Sequence, residues 1–200
     1  KNCLVNQREV GGDTAGFGNA LRSVLRQDPD VVLVGEMRDL ETIEAALTLA
    51  ETGHLTIGTL HTSDTVQTIN RIVDVFPAHQ QQQIRTMLSF TLQAVLCQQL
   101  LPKVQSRGRS LAAEVMIVNP AIRALIRDNK AHQMSSMIQM GGALGMKTMN
   151  QSIYELYRAG EVSLDDAIAY ATDQGDLARL LERPSGVSRS SSLRGSRQLR

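Results

Sequence analysis

DPDVVLVGEMRD, residues 28–39, is the stretch from which the fold can be read. Val31 to Val34 form a short apolar run of the kind that makes a fully buried strand in a parallel sheet. Gly35 and Glu36 follow at once, where such a strand must end and open towards solvent. Upstream, Asp13 or Thr14 is a candidate N-cap for a helix in which Phe17, Leu21, Val24 and Leu25 recur at helical spacing, and Pro29 stops it. Downstream, Leu40, Ile43, Leu47 and Ala50 share one face of a helix over 39–52, closed by Gly53. Leu55 to Leu60 reads as a second strand that ends at His61. Strand, helix and strand at this spacing predict a βαβ unit with a right-handed crossover, hence a parallel pair and an α/β fold.

The texture then changes. A helix is expected over 64–74, Pro77 breaks it, and Ile84, Met87, Leu88, Leu92, Val95 and Leu96 predict one long amphipathic helix over 80–100. Residues 100–103 and 109–117 read as two strands around the turn at Ser106-Arg107-Gly108. Short helices are expected over 121–128, 131–140, 148–158, 163–172 and 175–182. The organisation predicted is an α/β part over 1–118, an all-helical part over 119–183, and a Ser/Arg-rich tail over 184–200 too poor in apolar residues to order itself.

Composition narrows the classes. The chain is 42% hydrophobic but only 3% aromatic, with no Trp, so its core must be built from Leu, Ile, Val, Met and Ala. The formal net charge of +1 hides an asymmetry, because four arginines and no acid lie in 184–200, leaving 17 bases against 20 acids elsewhere. That mildly acidic body lacks the electrostatic footprint of a nucleic-acid binder. Two distant cysteines, Cys3 and Cys97, argue against a disulfide scaffold and for a reducing compartment. No apolar run approaches the roughly 18 residues of a membrane span, and no signal peptide is recognisable. The chain starts without Met, inside what reads as a strand or its exit, and is expected to be a fragment.

If the two strands are neighbours, Glu36 at the end of one meets His61, Thr62 and Ser63 at the end of the next, with Gln7-Arg8-Glu9 in an earlier loop. Ligands of open α/β sheets bind at the carboxyl ends of strands. Hydrolysis of a nucleoside triphosphate needs a group that orients water at the terminal phosphate and donors that follow the developing charge. A carboxylate suits the first task, a histidine or hydroxyl the second. The plainer alternative for Glu36 is a helix cap or a pair with Arg38. His54 is equally compatible with a structural role behind the site and with phosphate contact. His54 and His61 lack a third His or Cys nearby, so a zinc site is not expected.

The wording of the sequence is more specific than its spacing. QREVG (7–11), LRQDPDVVLVGEMRD (25–39), AETGHLTIGTLHTSD (50–64) and RIVDVFP (71–77) together resemble the secretion-ATPase superfamily that drives type II secretion and type IV pili. AIRALIR (121–127) and GMKTMNQSIYEL (145–156) narrow the resemblance to PilT-type pilus retraction ATPases, the twitching-motility proteins, across roughly residues 4–182. The absence of the four-cysteine metal motif of some export and assembly relatives points to the same branch. The resemblance implies part of a RecA-like P-loop ATPase domain with a mostly parallel sheet, followed by a small helical subdomain. It makes Glu36 the Walker B glutamate that polarises the attacking water. His54 and His61 become the His-box pair, with His61 the nearer to the γ-phosphate, and Arg8, Gly35 and Thr62 become supports of the nucleotide site. Ala121, Ile122, Arg123, Leu125, Ile126 and Arg127 are implied as the retraction motif, its apolar residues structural and its two arginines projecting together towards another element or subunit.

A P-loop requires GxxxxGK[ST], and the nearest stretch, GGALGMKT (141–148), has Met146 in place of the second glycine and follows a helical pattern. It is read as a decoy, and the true P-loop and Asp box are expected upstream of this chain. The resemblance further implies ATP and Mg²⁺, bound mostly by that upstream segment, and a homo-hexamer. Such a ring would be cytoplasmic, at the inner face of the bacterial inner membrane, held there through a platform protein. An extension or secretion motor with the same core, or a catalytically silent assembly module, are the alternatives.

Overall fold

The computed structural model describes residues 3–105 and 107–182, and the predicted tail over 184–200 lies outside them. The chain opens with a loop and α1 (Phe17–Val24), which a 3-10 turn ends at Asp28 in the left-handed region, φ 50°. The βαβ unit follows: β1 (Val31–Val34), α2 (Leu40–Glu51) and β2 (Leu55–Gly58). The strands are parallel, with Val31 beside Leu55 and Val34 beside Gly58. Local chemistry sets the helix limits. Asp39 accepts from Thr42 N at 2.9 Å to cap α2, and Gly53, at φ 98°, lets the chain turn back into β2.

α3 (Thr65–Asp74) and α4 (Ala78–Thr91) come next. The single helix expected over 80–100 is wrong: α4 ends at Thr91, and β3 (Ala94–Pro102) pairs antiparallel with β4 (Arg109–Ile117) over nine residues, Ala94 opposite Ile117. The run from Leu92 to Leu101 satisfies helical and strand periods alike, and the ladder to β4 decides between them. In strand register Val95, Cys97 and Leu101 are buried, while Leu96 (64% exposed) and Leu100 (56%) face outward. This hairpin is a second sheet, separate from the parallel pair.

Five helices complete the described chain: α5 (Pro120–Arg127), α6 (Met134–Met140), α7 (Met149–Arg158), α8 (Leu164–Tyr170) and α9 (Gln174–Glu182). Asn119, Thr148 and Ser163 cap α5, α7 and α8, and Thr148 with Gln151 forms a full capping box. One apolar cluster runs from Ile43 on α2 through Met116 on β4 and Ile122 on α5 to Leu177 on α9, so the later helices share a core with what precedes them. Leu21, Val32, Val34, Ala46 and Leu49 form a smaller cluster under α1 and α2.

β1 is not fully buried as its composition predicted. Val32 and Val34 face α1 and α2, whereas Val31 (53%) and Leu33 (67%) are exposed, because no described element covers that face. None of the described helices is long and apolar enough to cross a membrane.

Candidate functional site

Parallel pairing places the exits of β1 and β2 side by side. Beyond the strands the pairing continues through backbone and hydroxyl groups. Met37 N donates to Thr59 O at 3.0 Å, and Thr59 Oγ1 donates to the Gly35 carbonyl. Gly58 is small for a reason: a Cβ there would meet the Met37 sulfur at 2.6 Å, so the methionine can lie across the strand end only over a glycine. The two exits therefore form one fastened edge.

Glu36 stands on that edge. Its Oε1 accepts from Arg38 Nε and lies 2.7 Å from His61 Nε2, and among the described residues no donor is placed on Oε2. The Glu36 side chain is 25% exposed, His61 82% and Arg38 72%, so the carboxylate is sheltered by two solvent-facing cationic or polar partners. The Arg38 hydrogen bond holds the Glu36 carboxyl below its ordinary value; partial desolvation opposes this, and the Arg38 charge and His61 reinforce it. Reciprocally, the Glu36 carboxylate raises the Arg38 guanidinium. Both sequence expectations for Glu36 hold at once: it pairs with Arg38 and it meets His61. Capping of α2 falls to Asp39.

The remaining expected site residues are placed as follows. His54 precedes β2, at the opposite end from His61, with Nδ1 3.0 Å from Thr52 Oγ1 and 3.2 Å from Leu49 O. It closes the α2–β2 turn. Thr62 follows His61, but its hydroxyl turns to Thr68 Oγ1 at 2.7 Å. Arg8 is exposed, with Nη1 3.4 Å from Ala20 O on α1. In α5, Ile122 and Ile126 are buried at 0% and 1%, and Leu125 is partly buried. The two arginines do not project together. Arg123 Nη1 donates to Ser89 O (2.7 Å) and Phe90 O (2.8 Å), at the C-terminal end of α4 where a cation is favoured, while Arg127 sits 3.6 Å from Asp128.

Residues 141–148 contain a 3-10 turn, Gly142–Leu144, and follow α6 instead of a strand. Lys147 Nζ is 2.5 Å from Glu155 on α7, and Met146 is buried at 4%. Two shallow recesses lie along α1 (Asn19, Arg22, Arg26) and beside α7 (Tyr154, Tyr157, Leu164), and neither is lined by Glu36 or His61. The Glu36 edge is open.

Sequence reasoning missed two buried polar residues. Glu114 (7% exposed) binds the starts of α3 and α7, and Asn150 (2%) binds Asp173 O, Asp176 Oδ2 and both the N–H and hydroxyl of Thr172. The signal for Glu114 was present: period two from Ala112 and Met116 points it inward.

An acid at one strand exit and a histidine at the next thus share one edge of an α/β fold. Residues 5–169 match the family model described as type II/IV secretion system protein, and the chain belongs to that family. It is 57% identical over 167 residues to the type IV pilus retraction ATPase PilT of Pseudomonas aeruginosa, covering 84% of this chain and 48% of the relative. Over 167 residues it is 53% identical to a twitching motility protein of Neisseria gonorrhoeae, covering 84% and 45%. The crystal structure of the pilus retraction motor PilT with bound ADP superposes with a TM-score of 0.81 at 55% identity, covering 88% of this chain and 49% of that one. The chain thus spans about half the length of the relatives it matches.

Proposed function

We propose that the chain is part of a hexameric ATPase motor that hydrolyses ATP to power type IV pilus retraction. The observation that carries this reading is the placement of Glu36 Oε1 2.7 Å from His61 Nε2 at the fastened exits of two parallel strands. It is supported by the 57% identity to a pilus retraction ATPase. Glu36, kept ionised by Arg38, orients and polarises the attacking water through Oε2, the oxygen its two neighbours leave unengaged. His61, exposed beside it, follows the charge that develops on the transferred phosphoryl group. Gly35 and Thr59 hold the edge, while His54 and Thr62 fix the ends of the β2 segment from behind. Arg8 is assigned a supporting role at the nucleotide.

Among the described residues no group of three or more His, Cys, Asp or Glu could hold a metal ion. These residues do not fit a dedicated Mg²⁺ cage. The ion, which keeps several waters and favours phosphate oxygens, would arrive with the nucleotide. Residues 1–118 form the nucleotide-handling part in this reading and 119–183 the helical part. α5 is the element tied to retraction, with Ile122 and Ile126 anchoring it and Arg123 binding it to α4. The ring works in the cytoplasm, at the inner membrane, through a platform protein.

The test uses the full-length protein. Glu36→Gln is expected to abolish ATP hydrolysis, by 10²-fold or more on the scale of roughly 10²–10⁴ for such groups, while ATP still binds. Turnover near wild type would remove Glu36 from its role. Normal retraction in cells carrying only that variant would remove the motor assignment.

A further inference from the structure

β4 carries one acid on its inward face. Glu114 lies between Ala112 and Met116, both 0% exposed, in a strand whose alternate residues are the floor of the main core. Its two oxygens serve two helices. Oε1 accepts from Thr65 N at 2.8 Å, the first residue of α3, and Oε2 accepts from Met149 N at 3.3 Å, the first residue of α7. Both helices already have their own caps, Asp64 and Thr148. A helix start offers several unpaired N–H groups and a positive dipole end, so a shared carboxylate satisfies donors the local caps leave over.

What lies next to these helix starts gives the arrangement its meaning. The residues just before α3 are His61, Thr62, Ser63 and Asp64. Thr62 Oγ1 meets Thr68 Oγ1 at 2.7 Å, and Thr68 Oγ1 donates to Asp64 O at 2.9 Å, so the loop bearing His61 is bound to the first turns of α3. On the other side, Val115 N to Lys147 O (2.8 Å) and Lys147 N to Val115 O (3.0 Å) lock the chain before α7 onto β4. Between them Cys97 is buried at 4% exposure, 3.8 Å from Thr68 Oγ1, and that burial raises its thiol.

We propose that Glu114 is a positioning residue for hydrolysis, holding α3, and through it the His61 loop, in register with α7 of the helical part. The inference rests on the role given to His61 above. Glutamine at this position presents its amide N–H₂ to one of the two helix N–H groups, donor against donor, and α3 or α7 must shift out of register to relieve it. Displacements of about 1 Å at a reacting centre cost up to about 10²-fold in rate.

The experiment is a double-mutant cycle of ATPase kinetics in the full-length protein, combining Glu114→Gln with His61→Ala. Glu155→Gln, on the exposed face of α7, is the control and leaves turnover unchanged. Glu114→Gln is expected to lower kcat about tenfold with the KM for ATP changed less than about twofold, and to cost less than about twofold once His61 is alanine. If Glu114→Gln does not fold, Glu114→Asp, which keeps the charge but is one methylene short of spanning both helices, is read in the same cycle. An unchanged kcat, or equal losses in both His61 backgrounds, overturns the inference and leaves the role of His61 intact. A silent His61→Ala overturns the reading beneath it.

Discussion

The edge at Glu36 and the buried polar posts at Glu114 and Asn150 are opposite solutions to placing polar groups. Asn150 is 2% exposed and spends both ends of its amide on four partners around the α8–α9 junction. Glu114 spends both oxygens on helix starts. At the edge, Arg38 and His61 crowd onto one oxygen of Glu36, with His61 82% exposed. Buried polar groups must be satisfied because water cannot serve them. An exposed group can be left with a lone pair to spare, and a spare lone pair beside bound water is what chemistry requires. The posts should therefore govern stability, and the edge should govern turnover.

The histidines give the largest contrast. His61→Ala is expected to lower kcat about 100-fold, some 2.7 kcal/mol of barrier, in the full-length protein. His54→Ala removes a ring that closes a turn and should cost less than about threefold. Steady-state ATPase assays that return the reverse order would exchange the two assignments. Asn150→Ala comes next, and acts on the other quantity. It strands the Thr172 N–H and hydroxyl, a loss of roughly 2 kcal/mol, or about 4–8 °C in Tm, with kcat of the folded protein near wild type. A Tm within about 1 °C of wild type would show that water replaces the amide and that the post is not one.

The same contrast explains what could be read from the sequence. β1, α2 and β2 were legible because caps, period and glycine agree there: Asp39 starts the helix, and Gly53 ends it. Glu36 and His61 were legible as a pair because parallel strand ends must lie together once the βαβ unit is granted. The stretch from Leu92 to Leu101 was not, because its partner, β4, lies beyond a turn and both periods fit its apolar residues. The exposure of Leu33 was hidden for a related reason, since burial depends on what covers a face. The family resemblance led to α5, and Arg123 does reach another element, the carbonyls at the end of α4, but Arg127 does not go with it and lies beside Asp128. Glu114 was visible as an acid in an apolar alternation, yet its two partners come from distant helices.

The smallest expected effect, and the one that probes the edge most directly, belongs to Arg38. Its guanidinium is the leading cause that holds the Glu36 carboxyl low, with His61 the other group facing it and desolvation working against both. In the proposed role Glu36 acts as a carboxylate, so turnover is expected to fall on the acid side as it takes up a proton. With the pKa depressed, that loss comes at lower pH than for an ordinary glutamate. The same sign holds for stability: the pair contributes above the unfolded carboxyl value and is lost as pH falls through the folded one. Arg38→Gln removes the leading cause, so the acid limb of the kcat profile should move to higher pH, while rates near pH 8 remain close to wild type. Arg38→Lys keeps the charge on a shorter reach and should move it less. Because the guanidinium is 72% exposed, added salt should shrink the difference between wild type and Arg38→Gln. An acid limb that stays in place in Arg38→Gln would mean that the carboxyl is governed by its nucleotide and not by its neighbour, and the edge would then be assembled only when ATP is bound.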